Sequence, residues 1–338
     1  MSSTNSNAFN VGRVYDVLEG RNRIINGSFL IGQRGSVSVT ATNTTTYGGP
    51  DRYAGIITTS AGGAFTQAQS SMTFGGITNR PSILQTVTTI ATSIASGNYW
   101  SGVFQYIEGS NCYDLAFSPI SISFWFQSNV SGLFSVSLRD SSSQSYVTTF
   151  NYTAAGAPQK VIVNIPQPTI ALTIPNTTGF GLQVTVGSQN TGTFQTSTLN
   201  AWQSGNFFTA SGTVAWSNTV SNYISVSELQ LEQGSVASTF ERRSYGHELL
   251  LCQRYFFAGP TGFIGYAPGA NDFVGNFGYL PVSMRVVPTM ATGTPTENVN
   301  VSSLIIQPFS TQSFRIYCQG TAAGQCYWDG PFTAVAEY

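Results

Sequence analysis

The side chains that could do chemistry in this chain are few, and their types narrow that chemistry at once. His247 is the single histidine among 338 residues. A histidine-based metal cluster is therefore excluded, and any Ser-His-Asp triad would depend on one position. No Gly-x-Ser-x-Gly elbow precedes His247, and Ser and Thr are too abundant for any hydroxyl to stand out as a nucleophile. His247 reads as a linker residue. Glycoside hydrolysis needs two carboxyl groups flanking a sugar, and Asp51, Glu108 and Asp114 come from parts of the chain that one fold could bring together. Asp51 beside Arg52 reads more simply as half of a structural ion pair. The expectation is a protein that is not an enzyme and has no catalytic residue, with a glycan hydrolase as the remote alternative. Calcium takes oxygen ligands, so Asp16, Asp51 and Asp114 with backbone carbonyls could hold a structural ion, although EF-hand spacing is absent. No other metal and no cofactor is expected.

Binding without reaction is the better lead. Tyr99, Trp100, Tyr106, Trp202 and Trp216 lie among Gly, Ser and Asn, a setting that suits strand ends where a flat ring stacks on a sugar beside hydrogen-bonding amides. These five are the candidate glycan-stacking residues. Against that stands an aromatic content of 13%, which means that most rings must fill a core or a subunit contact. A second cluster is ionic. Between Asp140 and Glu228 the only charged side chain is Lys160, whereas Glu228, Glu232, Glu241, Arg242, Arg243, Glu248 and Arg254 crowd into the next 27 positions. Arginine suits interfaces because its planar fork pairs with carboxylates and carbonyls and stacks on rings. Glu241, Arg242, Arg243, Tyr245, Glu248 and Arg254 are accordingly expected to form a domain or subunit joint.

Composition closes off other classes. Charged residues make up 8% of the chain and the formal net charge is -1. Nucleic-acid binding rests on many Lys and Arg contacts to phosphate, and this chain cannot supply them. No window of about 20 residues is continuously apolar, so no membrane insertion is expected. Met1 to Asn10 lack both a basic region and an apolar core, which predicts synthesis in a host cytoplasm without a secretory signal. A surface of Ser, Thr, Asn and Gln suits a protein held in an assembly, and it also suits partners that carry hydroxyls. Cys112, Cys252, Cys318 and Cys326 form no CxxC pair and are expected as thiols, with a Cys318 to Cys326 bridge left open.

The elements that must position these groups are strands. Residues 120–126, 133–138, 146–152, 160–165, 179–186 and 223–231 alternate or nearly alternate, and Gly, Pro, Asn and Ser clusters separate them. In Ile120–Phe126, Ile120, Ile122, Phe124 and Phe126 share one face, which must be core. Four parts are predicted: an N-terminal docking arm at 1–21, a β-sandwich at 22–243, a linking helix at 244–257, and a small β domain at 258–338. Ser244 can cap the helix, with Leu249, Cys252, Tyr255 and Phe256 on its buried stripe. The fold class is all-β.

Several spaced motifs carry a resemblance. Leu229-Gln-Leu-Glu-Gln-Gly234, Ala237-Ser-Thr-Phe-Glu-Arg-Arg-Ser-Tyr245 and Glu248-Leu-Leu-Leu-Cys-Gln-Arg-Tyr255 are preceded by Asn26-Gly-Ser-Phe29, Gln33-Arg-Gly35, Pro50-Asp-Arg-Tyr53 and Gln105-Tyr-Ile-Glu-Gly109. Together they resemble structural proteins of tailed bacteriophages, of tail-fibre or minor-tail type, over roughly residues 22 to 257. Tyr53 departs from the pattern, where Trp is commoner. The resemblance implies a jelly roll like that of carbohydrate-binding modules, a place in the virion, and host attachment as a tail-fibre or tail-tip component, with glycan binding as the means. It also implies a homo-oligomer, with a trimer favoured, and other virion proteins as partners of the arm. The alternative is a capsid decoration or head-fibre protein. Glu108 lies in a motif to which the family gives no catalytic role.

Overall fold

The computed structural model describes residues 20–92, 97–190 and 192–338. Most of the expected arm, with Asp16, lies outside the described residues.

Two antiparallel sheets pack face to face. One runs in the order Val37–Thr40, Ala64–Phe74, Ile77–Thr89, Tyr223–Gln233, Ile120–Ser128, Gln159–Ile165. The other runs Trp202–Ser204, Gln144–Tyr152, Gly132–Asp140, Phe180–Val186, Val103–Glu108, Ala54–Gly55, Thr46–Tyr47. Neighbours in this order are mostly distant in sequence, the crossing pattern of a jelly roll rather than a meander. The inward parity of the central strands is apolar: Ile122, Phe124 and Phe126 face Phe134, Val136, Leu182 and Val184 in one continuous core. Apolar burial of this kind stabilises by about 25 cal/mol per Å² removed from water.

The hairpin Ala64–Phe74 and Ile77–Thr89 is masked in the sequence by its polar composition. Gln67 and Gln85 point into the core, where the Gln85 amide donates to Gln67 Oε1 at 2.8 Å and to the Gly102 carbonyl at 3.1 Å. The Gln67 amide donates in turn to the Gly48 and Tyr53 carbonyls at 2.8 and 3.2 Å, so both buried NH2 groups are paired, while Gln85 Oε1 has no hydrogen-bond partner among the described residues. Gly75 and Gly76 make the reversal with φ of 58° and 72°, a conformation glycine adopts without strain.

Among the described residues one α-helix, α1, spans Tyr245–Gln253, and the Ser244 side chain accepts the His247 N–H at its start. It ends sooner than residue 257 because Phe256 already begins the strand Phe256–Ala267, paired along its whole length with Gly324–Val335. Cys252 and Tyr255 bury against Ile25 and Ile31 of the chain's opening segment. Beyond α1 lies a smaller two-sheet β unit. Phe256–Ala267, Gly324–Val335, Thr289–Thr292 and Glu297–Val299 form one sheet; Phe273–Tyr279, Ser313–Gly320 and Val301–Pro308 form the other. Phe263, Ile316, Cys318, Cys326 and Trp328 fill one end between them, and Leu280, Phe314 and Phe332 fill the other. All four cysteines are buried free thiols.

Candidate binding site and the buried joint

The spaced motifs noted in the sequence meet at one place, where the sandwich, α1 and the C-terminal unit join. Asn26 takes φ of 58°, and its side chain bonds Ile31 N, Ile31 O and the Asp51 carbonyl. A Cβ on Gly27 would lie 2.2 Å from the Leu229 carbonyl oxygen, so the close approach there requires glycine. Arg254 of the α1 terminus grips Glu108 with Nε and Nη2, both at 3.0 Å, and donates to the Ser283 carbonyl of the C-terminal unit at 3.2 Å. Arg243 bonds the Ile24 carbonyl at 3.0 Å and pairs with Glu241 and Glu248 at 3.4 and 3.3 Å. Glu241 in turn accepts the backbone N–H groups of Gly20 and Asn22 at 2.9 and 2.6 Å. Burial alone would raise the Glu241 carboxyl, but those N–H groups and Arg243 hold it below its ordinary range.

Two of the expected joint residues sit elsewhere. Arg242 pairs with Glu228, which Arg80 also engages, on the sandwich surface. A bulge between Ser227 and Gln230 presents Glu228 to them. Tyr245 is exposed. The largest part of the joint went unread in the sequence because it comes from the chain's last residues. Arg52, fully buried, pairs with Glu337, donates to the Tyr106 carbonyl at 2.7 Å and stacks 3.3 Å from the Tyr255 ring centroid. Arg34 adds a 3.2 Å bond to Glu337. Burial would lower the Arg52 pKa, but the Glu337 carboxylate more than offsets it and keeps the guanidinium charged. Arg285 holds the tail through the Ala336 and Glu337 carbonyls at 2.8 and 2.7 Å and reaches the Thr178 carbonyl of the sandwich at 3.1 Å.

The three acids considered for glycoside hydrolysis each have a separate partner. Glu108 is taken by Arg254, and Asp114 by Arg23 at 2.7 Å. Asp51, buried, accepts from the Gln33 backbone and side chain at 3.0 and 2.6 Å. Its partner is therefore Gln33 rather than the adjacent Arg52, whose carboxylate is Glu337. Burial raises the Asp51 carboxyl despite the Gln33 bonds. Among the described residues no three His, Cys, Asp or Glu side chains converge as metal ligands, and no helix is long and apolar enough to cross a membrane.

Burial takes four of the five candidate stacking rings out of solvent. Trp100 and Trp216 sit in the core, 6.0 Å apart edge to face, with the Trp216 N–H bonded to the Gly187 carbonyl at 2.9 Å. Tyr99 packs 4.8 Å from Phe208, and Trp202 packs 5.7 Å from Tyr146. Tyr106 is half-buried between Phe104, Phe180 and the C-terminal Tyr338. Loop-like neighbours in sequence do not expose a ring when segments 187–190 and 192–216 fold back across the sheet.

Exposed rings occur instead on the outer face of the three-stranded C-terminal sheet. Alternation turns Val274 inward to the core and Phe273, Gly275, Phe277 and Tyr279 outward. Phe273 lies 5.7 Å from Tyr317 on the next strand, and Phe277 stacks 5.7 Å from Phe309. Between them is a groove of about 480 Å³. Its floor is Gly275, directly opposite Tyr317, where an added Cβ would come within 2.3 Å of the Tyr317 Cβ. Arg315 lies 4.5 Å from the Tyr317 ring centroid, and its Nε and Nη2 donate to Gln307 Oε1 at 3.0 and 2.6 Å. The groove thus offers ring faces, a guanidinium and an amide, with no carboxylate in its lining. The run Phe273-Val-Gly-Asn-Phe-Gly-Tyr279 shows the parity in sequence; which parity faces solvent follows only from the second sheet. A polar cleft of about 380 Å³ beside Asn22, Arg23 and Arg243 has its arginines already paired with Asp114 and Glu248.

No protein-family model and no curated protein matches the chain. Among solved structures, the enzymatically active domain of tailspike protein 4 of bacteriophage CBA120 is similar at 10% identity and a TM-score of 0.33, covering 63% of this chain. The chain spans 22% of that tailspike chain. The carbohydrate-binding module TmCBM61, solved with β-1,4-galactotriose, is similar at 9% identity and a TM-score of 0.26, covering 63% of this chain and 99% of the module. A CBM4 structure is similar at 12% identity and a TM-score of 0.28, covering 62% and 98%. The jelly-roll assignment rests on the strand order itself.

Proposed function

We propose that this chain is a structural protein of a tailed-phage particle, of tail-fibre or tail-tip type, that attaches to a host-surface glycan through the groove of the C-terminal unit. The observation that carries the reading is the grouping of exposed Phe273 and Phe277 with Tyr317, Arg315 and Asn276 around a glycine floor. Rings of this kind cover the apolar face of a pyranose, while guanidinium and amide groups bond its hydroxyls. Adhesion rather than hydrolysis fits the carboxylates, since Asp51, Glu108 and Asp114 are each committed to a structural bond. The virion assignment comes from the sequence motifs, and the small number of charges agrees with a protein held in an assembly.

A glycan array probed with the labelled full chain tests the groove. Wild-type protein is expected to retain a defined set of glycans, and Phe273→Ala with Phe277→Ala is expected to lose them while unfolding at an unchanged midpoint. Retention of the same glycans by the double variant would move the site elsewhere, and an array without a single hit would remove the adhesion reading. Cryo-EM of the purified particle tests the location: density at the tail is expected, and density spread over the shell would make the protein a capsid decoration.

A further inference from the structure

We infer that the C-terminal unit pairs edge to edge with a second copy of this chain, through the strands Phe256–Ala267 and Phe273–Tyr279. Each is the outermost strand of its sheet. Phe256–Ala267 is bonded only to Gly324–Val335, and Phe273–Tyr279 only to Ser313–Gly320. The two follow one another in sequence and lie against each other, so one side of the unit presents two open edges stacked together. Beyond Phe256, whose carbonyl accepts from Gln33, no backbone hydrogen bond joins either outer edge to another element among the described residues.

An open edge is a template for another strand, and proteins that stay monomeric blunt it with charge, shortness or a covering segment. These edges have little of that protection. One is 12 residues long and the other 7, and neither contains a charged side chain. Pro260 interrupts the first edge at a single position. The side chains flanking the edges are large, apolar and exposed: Ile264 at 64%, Tyr266 at 68%, Phe273 at 66%, Phe277 at 68% and Tyr279 at 78%. A contiguous apolar surface bordering unpaired backbone marks an interface.

The occupant is a second copy because the surface complements itself. A two-fold axis normal to the sheets sets each edge antiparallel to its own copy, continuing both sheets at once. With no charge on either strand, no like-charge repulsion opposes that pairing. Neighbouring grooves would then lie side by side, so the same contact makes glycan attachment bivalent. The pairing itself does not depend on the groove binding sugar.

Native mass spectrometry of the full chain tests the inference. Wild-type protein at about 50 µM is expected at twice 36.1 kDa or higher multiples. Ile264→Lys with Tyr266→Lys places charges on the edge, outside the sugar groove, and is expected to give the single-chain mass while keeping the wild-type circular dichroism spectrum, with an unfolding midpoint that no longer depends on concentration. Hydrogen exchange supplies a second readout that needs no variant: amides of 257–267 and 273–279 are expected to gain protection as wild-type concentration rises. Single-chain mass for the wild type would overturn the inference. So would an assembly whose concentration-dependent protection lies wholly outside these strands.

Discussion

The sandwich and the C-terminal unit are both two-sheet β structures rich in aromatic residues, yet they dispose of their rings in opposite ways. Trp100, Trp216, Phe124 and Phe126 are wholly inside the sandwich, whereas Phe273, Phe277 and Tyr279 stand in solvent on the edge strand of the three-stranded sheet. The difference follows from how much each core can absorb. The sandwich has sheets of six and seven strands and folded-back segments at 187–190 and 192–216, enough to cover both parities of several strands. Ser135, Ser137 and Thr185 are buried there along with their inward-facing neighbours. The smaller unit has one inner face per sheet, so every outward ring remains outward. On the sandwich Tyr113 and Phe117 are exposed as single rings and the other rings named above are packed, whereas the outer face of the small unit gathers several exposed rings together.

The comparison breaks most easily at Trp216. Replacing it with Ala empties a fully buried site and leaves the Gly187 carbonyl without its donor. The expected loss is about 5 kcal/mol, the upper end for large-to-small core changes, read as a shift in the urea midpoint. Phe277→Ala removes a ring that is 68% exposed and is expected to change stability by less than about 0.5 kcal/mol. Similar losses at the two positions would mean that the outer ring is already packed against something, and the contrast drawn here would fail.

Joining the two regions is the task of the buried ions, and Arg52→Met is the next largest test. The substitution keeps most of the volume but strips Glu337 of one guanidinium and leaves the Tyr106 carbonyl unpaired. Breaking a buried pair costs about 3–5 kcal/mol, and the lower end, about 3 kcal/mol, is expected because Arg34 still reaches Glu337. Limited proteolysis should then cut between α1 and the C-terminal unit, where wild-type protein resists. Unaltered resistance would show that apolar contacts alone hold the units together.

Much of this architecture is legible in the chain because strand parity and turn chemistry are local. Ile120–Phe126 and its partners announce a core face, and Ser244 announces the start of α1. The Glu/Arg run suggests a joint; Arg243 pairs with Glu248, and Arg254 pairs with Glu108 at the far end of α1. What local pattern lacks is long-range pairing. Glu337 is a lone acid one residue from the terminus, and nothing nearby says that it meets Arg52 across 285 positions. The rings were misread for the same reason: Trp100 beside Ser and Gly looks like a loop residue until the Phe65 and Trp216 rings close over it. The hairpin with Gln67 and Gln85 was hidden because its core-facing residues are amides.

The finest test of the joint is its response to acid. Glu241 has a folded pKa held below the ordinary glutamate value of 4.5 by the Asn22 and Gly20 N–H groups and Arg243, against burial that acts the other way. A depressed carboxyl contributes its stability in full above 4.5 and loses it as pH falls toward the folded value, because the unfolded chain takes up the proton first. Partial exposure and solvent screening hold that contribution under about 1 kcal/mol. Asp51 acts in the opposite sense: its raised carboxyl favours the folded state at low pH and costs stability as pH rises through the window between its ordinary and folded values. The acid limb of a urea-stability profile therefore sums two opposed slopes. Glu241→Gln should remove the rising one and leave wild-type stability near pH 3 while lowering it slightly at pH 7. A variant that loses the same amount at both pH values would show that Glu241 holds residues 20–22 by shape rather than by charge, and the ionic joint would then reduce to Arg243, Glu248, Arg254 and the buried Arg52.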